Sequence, residues 1–162
     1  MPKLPLGLKV DPQSKILLMR LAKIEDYDFS GISADIKRKL RWTPRKIAKT
    51  ELEVRRFFSL AMLDPGYYHI PEVDVDDYWH RMILHTVWYT KFCKSVFGGY
   101  FDHTPEPDPD HLNQRNRERT VKVVSYWYGS KWPKLVKTCT QCNHPTTLKT
   151  LPKPAKGAMP RF

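Results

Sequence analysis

The chain has 162 residues, of which 41% are hydrophobic and 12% aromatic, so it can bury one ordinary core and has little apolar material left for a second. Its formal net charge of +11 excludes an acidic protein. No run approaches the roughly 18 to 20 apolar residues that a membrane-spanning helix needs, so a membrane protein of that kind is excluded as well.

The compartment is predicted from the N-terminus and from the cysteines. The first twenty residues hold no apolar segment of signal-peptide length and no small-residue cleavage site, so we expect a cytoplasmic protein. Three cysteines, an odd number, fit a reducing compartment better than a framework of disulfides.

Two helices are predicted in the first half of the chain, each preceded by a hydroxyl residue that can cap it. Residues 14–24 space their aliphatic side chains for a short helix, with Ser14 as the cap. Thr43 and Pro44 begin a second helix, because a capping hydroxyl precedes a proline suited to the first helical position. This helix is predicted to end at the Asp-Pro-Gly sequence of residues 64–66.

Two further helices are predicted in the second half. The third begins near Asp74 or Asp76, whose carboxylates favour a helix N-terminus, and runs without a break to the glycine pair at residues 98–99. This long helix is predicted to be the central strut. The fourth extends from the Asp-Pro sequence at residues 108–109 to the residue before Gly129.

The remaining segments are predicted to be loop and tail. Alternating prolines in residues 104–110 exclude both a helix and a paired strand there. From residue 133 onward the sequence is rich in Pro, Lys and Thr, and the part beyond about residue 146 is expected to be mobile or ordered by a partner. We therefore predict a mainly α fold. It consists of a small bundle of about four helices at residues 1–132, with a Pro-rich loop and an extended basic C-terminal tail at residues 133–162.

The positive charge is concentrated at the two ends of the chain. Residues 1–63 contain 14 Lys and Arg against 7 Asp and Glu, residues 64–110 contain 3 against 9, and residues 119–162 contain 9 against none. Such ends attract polyanions by counterion release, bind an acidic face of another protein, or lie against the acidic middle of their own fold. The sequence leaves these three alternatives open.

Two stretches interleave basic and aromatic residues, a combination that holds nucleic acid through phosphate contacts and stacking. The first surrounds Trp42, and the second follows Trp127. The alternative is that both tryptophans belong to the core and that the lysines are merely solvated. The candidate nucleic-acid-binding residues are Lys37, Arg38, Lys39, Arg41, Trp42, Arg45, Lys46, Lys131, Lys134 and Lys137.

Residues 71–105 carry the most specific pattern in the chain: a Trp-His pair, a cysteine, a Phe-Gly pair and a closing histidine ahead of a proline. The matching positions are Val75, Asp76, Trp79, His80, Ile83, Leu84, Thr86, Tyr89, Cys93, Phe97, Gly98, His103 and Pro105. Over about residues 50–105 the chain resembles the glycine-rich domain-containing protein-like family, bacterial relatives of a plant glycine-rich protein domain. It departs from that pattern at Met82, His85 and Asp102. The resemblance implies a small helical domain and no particular activity.

Asp76, His80 and His103 are the candidate metal ligands within this pattern. Asp76 and His80 are four residues apart and share a helix face, so the carboxylate can orient the imidazole, and His103 can reach back from the loop. Three interpretations remain open. The residues form a polar pair that ties a helix to a loop, a divalent-metal site completed by Asp76, Asp77 or Asp102, or the centre of a metal-dependent enzyme.

A second candidate metal site is the Cys-x-x-Cys sequence of Cys139 and Cys142, followed by His144. Two thiolates at this spacing suit tetrahedral zinc, with His144 as a third ligand and a fourth from His111 or another chain. Free thiols and an occasional disulfide are the alternatives. Cys93 is not expected to join His80 as a ligand, because it would lie about 140° round a continuous helix.

These observations predict a non-enzymatic accessory module that docks through its basic ends on a larger protein assembly or on nucleic acid. A phage or mobile-element particle is one such assembly. The alternative is a metal-dependent enzyme that uses Asp76, His80 and His103. Zinc is the one cofactor indicated, and neither a membrane nor a small-molecule substrate is.

Overall fold

The computed structural model describes residues 3–103, 110–132 and 134–136. Six α-helices lie in these residues: α1 (Lys15–Asp26), α2 (Ser30–Leu40), α3 (Pro44–Leu63), α4 (Val73–Leu84), α5 (Thr86–Phe97) and α6 (Asp110–Tyr128). A single 3-10 turn at Pro5–Gly7 precedes them, and no strand occurs in this part of the chain. None of the described helices has the length and apolar character needed to cross a lipid bilayer.

The prediction of a mainly α fold is confirmed, but the predicted number of about four helices is too low. One added helix is α2, whose buried face is formed by Ile32, Asp35 and Ile36. Its last turn holds the three cations at residues 37–39. Because cations stabilise a helix C-terminus, this charge run, predicted to be either a binding segment or merely solvated, is also a favourable helix end.

The other added helix arises because the predicted continuous helix over residues 74–97 is wrong. The chain breaks between α4 and α5 at His85, which has φ −87° and ψ 63°. His85 Nε2 lies 3.2 Å from Oδ2 of the buried Asp35, and the guanidinium of Arg81 donates to the same oxygen. Hydrogen bonds from Arg81 outweigh burial and hold the pKa of Asp35 well below its usual range. The break at His85 is therefore associated with a contact to the Asp35 carboxylate on α2, a different helix.

Several predicted helix ends are confirmed. Ser14 Oγ accepts a hydrogen bond from Leu17 N at 3.3 Å, and Thr43 Oγ1 accepts one from Lys46 N at 3.2 Å, so both hydroxyls cap their helices. α5 is followed by Gly98, whose φ of +80° is one that residues with a side chain rarely adopt. Of the Pro-rich loop predicted at residues 104–110, only Asp110 is described, and it begins α6; the other loop residues and the tail beyond residue 136 lie outside the described residues.

α3 lies at the centre of the fold and packs against α1, α2, α4 and α6. Its C-terminal half is continuously buried over residues 57–63. Phe57 and Phe58 pack there against Trp79 of α4, with ring centroids 5.3 and 5.5 Å apart. Trp127 of α6 is fully buried, so this tryptophan belongs to the core rather than to a stacking surface.

Arg55 of α3 caps the C-terminal end of α1 with its side chain. The guanidinium donates to the carbonyl oxygen of Ile24, and to those of Glu25 and Tyr27 at 2.9 Å each. Glu51, one turn earlier on α3, accepts from Arg55 Nη2 at 2.7 Å and so balances the buried charge. Because α1 is followed by Tyr27 in an extended conformation rather than by a glycine, the last carbonyls of the helix depend on this side chain.

We expect Arg55→Ala to lower the free energy of unfolding by about 3 kcal/mol, because Glu51 is left without its buried counter-charge and the α1 carbonyls lose their donors. Arg55→Lys should recover only part of this loss, since an ammonium cannot reach the same acceptors as a planar guanidinium. Urea denaturation measures the change, and Arg45→Ala at an exposed position is the control. A loss of less than about 1 kcal/mol for Arg55→Ala would contradict the capping role.

A second buried ionic cluster joins the end of α3 to α6. The carboxylate of Asp64 accepts hydrogen bonds from Arg119 at 2.6 and 2.7 Å, and His69 Nε2 lies 3.0 Å from Asp64 Oδ2. His69 Nδ1 lies 3.2 Å from Thr120 Oγ1, whose hydroxyl donates to Asn116 O at 2.7 Å. The order of carboxylate, imidazole and hydroxyl is that of a catalytic triad. The hydroxyl proton, however, is held by a backbone carbonyl and all three groups are buried, so the cluster is structural.

The acid limb of the stability profile should depend on Asp64. Burial alone raises its pKa, but the neighbouring His69 and the hydrogen-bonded guanidinium of Arg119 outweigh burial and hold the pKa below its ordinary value. The stabilisation is therefore present above the unfolded carboxyl pKa of about 4 and is lost as the pH falls through the lower folded value. We expect Asp64→Asn to be less stable at pH 7 and to show a flatter decline of unfolding free energy below about pH 4.

The measurement is urea denaturation at a series of pH values, with Asp26→Asn at the exposed end of α1 as the control. That variant should keep the slope of the parent protein. A decline for Asp64→Asn as steep as that of the parent would show that this carboxylate does not carry the acid dependence.

Candidate metal centre

Asp76 and His80 lie on the same side of α4, next to the face of the helix that packs into the core. Val75, Trp79 and Met82 are fully buried. Residues four apart on a helix are neighbours on its surface, so the Asp76 and His80 side chains meet. Asp76 is largely buried, whereas the side chain of His80 is 53% exposed.

His103 reaches this flank through the segment that follows α5. Gly98 turns the chain, and the fully buried Phe101 anchors the returning segment in the core. Tyr89 links the two sides: its hydroxyl donates to Phe101 O at 2.6 Å and accepts from Trp79 Nε1 at 2.9 Å. The ring of His103 then stacks on the indole of Trp79, with centroids 4.2 Å apart and 13° between the planes.

The three candidate ligands converge within a few ångströms. His103 Nε2 lies 2.8 Å from His80 Nε2 and 3.2 Å from Asp76 Oδ1, and the two imidazole planes are parallel to within 6°. His80 Nδ1 lies 3.6 Å from Asp76 Oδ2. One ligand atom from each residue falls within 4.8 Å of the others.

One oxygen of this cluster lacks a hydrogen bond. Asp76 Oδ1 is buried and accepts no hydrogen bond from any described residue, although His103 Nε2 is 3.2 Å away. The ring nitrogen is close but is not aligned to donate. A buried carboxylate oxygen in this state costs on the order of 1 to 3 kcal/mol, and a cation between the three residues would remove that cost.

The surroundings of the cluster are negative. Asp77 lies at the surface, but partial desolvation by its neighbours, with the charges of Asp76 and Asp74 added, raises its pKa. Burial and the charge of Asp74 likewise raise the pKa of Glu72. Four carboxylates crowd the start of α4, and a region with this potential attracts a cation.

The spacing of the three ligand atoms fits a divalent transition metal. Zinc binds imidazole nitrogen and carboxylate oxygen at about 2.0 to 2.2 Å, which places ligands of a tetrahedral site about 3.3 Å apart. Two of the three separations, 2.8 and 3.2 Å, are close to that value, and the third, between His80 and Asp76, is within 4.8 Å. Because His80 is half exposed, a fourth coordination position would face water.

The comparisons with known proteins identify the family. A family model described as UCP032817-like matches residues 19–131, which is more than two thirds of the chain and contains all three candidate ligands. The chain belongs to the UCP032817-like family. No curated protein matches the chain, and no solved structure does.

The predicted membership of the glycine-rich domain-containing protein-like family is therefore wrong. Several positions that carried the resemblance, among them Trp79, Cys93 and Phe97, are core positions of α4 and α5. Helix packing alone selects large apolar residues and buried cysteine at such spacings, so the pattern is not specific to one family. The UCP032817-like match also extends over most of α1, over α2 and over α6, which the resemblance left uncovered.

None of the other predicted metal ligands that the structure describes is found in the cluster of Asp76, His80 and His103. Asp77 and Asp102 are both exposed, and neither belongs to the group formed by the other three residues. The predicted zinc knuckle of Cys139, Cys142 and His144 lies outside the described residues, as do the His111 side chain and Lys137.

Most predicted nucleic-acid-binding residues are on the surface. Trp42 and Lys46 are partly buried. The exposed ones are Lys37, Arg38, Lys39, Arg41, Arg45, Lys131 and Lys134.

Two contributions to the cluster were not predicted from sequence. Trp79 was noted only as part of the Trp-His pair of the sequence pattern, yet its ring also carries the stacked His103 ring. The sequence did place Trp79 directly before His80. Of two consecutive helical residues, one can lie in the core and the other at its edge, so a contact between Trp79 and the cluster could have been predicted. The burial of Asp76 Oδ1 could not be predicted from the neighbouring sequence, because it depends on the segment that returns from α5.

Cys93 is a core residue of α5 rather than a ligand. It is fully buried, and burial raises the pKa of its thiol to about 11. We expect Cys93 to react with iodoacetamide at pH 8 at least about 10-fold more slowly in the native protein than in urea, because the thiolate is the nucleophile. Peptide mass spectrometry of the native and urea-unfolded samples measures the two rates. Equal rates would show that the thiol is accessible.

Proposed function

We propose that this protein binds one divalent transition-metal ion, zinc or an ion of similar ligand preference, through Asp76, His80 and His103. The buried Asp76 Oδ1 without a hydrogen bond is the observation that carries the proposal. Two imidazoles that approach it from different segments support the same conclusion.

The proposed role of the ion is to fasten the segment after α5 to α4. Without an ion, His80 and His103 share one hydrogen bond between their Nε2 atoms, so one nitrogen carries the proton and the other accepts it. For an ion to bind, that imidazole would carry its proton on Nδ1 instead, so that both Nε2 atoms and the carboxylate are free to bond the ion. His103 and α4 are then joined by coordination bonds in addition to the stack on Trp79.

The first test is titration with zinc in a Cys139→Ser/Cys142→Ser background, because the thiols of those residues bind zinc readily. Calorimetry of the full-length background protein should give one ion per chain. A zinc concentration about 100 times the dissociation constant should raise the melting temperature by about 5 to 10 °C, from a stabilisation of about 2.7 kcal/mol. His80→Ala should abolish both effects.

Asp76→Asn separates a metal site from a polar structural pair. If Asp76 serves an ion, the amide leaves the metal-free protein as stable as its parent or more stable, because a poorly solvated charge is removed, while the zinc-induced rise in melting temperature disappears. If Asp76 only ties α4 to His103, the amide destabilises the protein in the absence of metal and zinc has no effect on either form.

His85→Ala is the matched control, since it removes a partly exposed imidazole near the end of the same helix. It should bind zinc as the background protein does. Loss of zinc binding in His85→Ala to the same extent as in His80→Ala would contradict the assignment, and so would a background protein that binds no zinc.

The half-exposed side chain of His80 favours a metal-dependent reaction as a second candidate function. An ion held by three protein ligands with one position open to water is the arrangement that activates water for hydrolysis. This candidate function requires a catalytic turnover that is lost, together with the bound ion, in His80→Ala. Adding zinc or cobalt to that variant should not restore the turnover. Full turnover in a metal-free variant would exclude it.

A further inference from the structure

The end of α2, the turn after it and the start of α3 together carry a run of positive charge with no acidic residue. Between residues 36 and 50 the sequence contains no acidic residue. Its seven cations are Lys37, Arg38, Lys39, Arg41, Arg45, Lys46 and Lys49.

Most of these cations have no acidic partner among the described residues. Arg38 pairs with Asp35 and Lys46 pairs with Asp74, each at 2.8 Å, while the other five form no ion pair with the described part of the chain. The Arg38 side chain is 73% exposed even in its pair. Exposed pairs are worth little, so the charge of this surface is available to a partner.

The backbone holds this charge in a fixed arrangement. Arg41 adopts a left-handed conformation with φ +53°, which costs a non-glycine residue on the order of 1 kcal/mol and turns the chain sharply from α2 into α3. Thr43 then caps α3, and Lys46 Nζ lies 4.0 Å from the ring centroid of Trp42. The cations at the end of one helix and the start of the next are thus presented together.

The second basic stretch adjoins the first, although the two are far apart in sequence. Trp132 Nε1 donates to Glu53 of α3 at 2.8 Å, and Val73 N donates to the carbonyl oxygen of Lys134 at 2.9 Å. Glu53 also lines a cleft of about 400 Å³ beside Arg45 and Lys49. Glu72 and Asp74 line the same cleft, so the side of α3 that faces Lys134 is mixed in charge, and the positive surface is confined to residues 37–49.

We propose that this surface, defined by the cations of residues 37–49, binds a nucleic acid strand through its phosphates. Arg45 and Lys49 lie one helical turn apart on α3, so they form a row rather than a point charge. A row of unpaired cations matches the regular charge of a phosphodiester backbone and gains from counterion release. An anionic membrane is a poorer fit, because Leu40, at 37% exposure, is the one exposed large apolar side chain of residues 37–49.

The experiment measures the binding of the full-length protein to a fluorescent single-stranded oligonucleotide and to its duplex across a series of salt concentrations. Charge reversal by Lys39→Glu/Arg41→Glu/Arg45→Glu should weaken binding at least about 10-fold and reduce the slope of log affinity against log salt by about 2. The matched control is Lys15→Glu/Lys23→Glu/Lys94→Glu, which makes the same change in net charge at exposed lysines of α1 and α5. It should weaken binding less than about 3-fold. Melting curves establish that both variants remain folded.

Three outcomes would overturn the proposal. An equal loss of affinity in both triple variants would show that only net charge matters. Unchanged affinity in the first variant would place any binding elsewhere in the chain, such as in the basic residues after 136. Failure to bind either oligonucleotide, with retention on phosphatidylserine vesicles or on an acidic protein, would assign the surface to a different partner.

Discussion

The buried guanidinium of Arg55 is the interaction on which the arrangement of the first four helices depends. It satisfies the end of α1, and its charge is balanced by Glu51. The second oxygen of Glu51 accepts from Ser33 of α2 at 2.8 Å, and Ser33 Oγ lies 2.8 Å from the hydroxyl of Tyr78 on α4. A single polar network therefore connects α1, α3, α2 and α4. Because each member would be costly to bury alone, the helices are held in one relative position rather than in a range of packings.

This network determines where the candidate metal centre lies. Tyr78 is fixed by the network and Trp79 by the aromatic core, so the rotation of α4 about its axis is determined at two adjacent residues. Asp76 and His80 then occupy the edge between the core and solvent, one largely buried and the other half exposed. The stack of His103 on Trp79 completes the cluster from the other direction. The geometry of the three candidate ligands is thus a consequence of core packing. A substitution that loosens the core would separate them even though the three residues themselves were unchanged.

The parts that could be predicted from sequence are those with local causes. Ser14 and Thr43 cap their helices, and the spacing of Asp76 and His80 placed them on one face, because caps and helical periodicity act over about four residues. The break at His85 could not be predicted, since its partner is Asp35, on another helix. α2 was missed because its apolar residues are few and its cations were interpreted by charge alone. The proximity of the two basic stretches likewise depends on tertiary contacts that no local pattern contains.

The two proposed binding surfaces meet at the first turn of α4. Lys46 of the positive surface pairs with Asp74, and Asp74 lies in the same turn as Asp76. The carboxylates of this turn repel a phosphate backbone lying along α3, and an ion bound at Asp76 reduces that repulsion. Coupling between the sites is reciprocal, so a strand on the positive surface would strengthen metal binding by the same factor. Screening limits the effect to groups within about one Debye length, roughly 10 Å at 0.1 M salt. The two proposals together predict that the affinity for metal depends on whether a nucleic acid strand is bound.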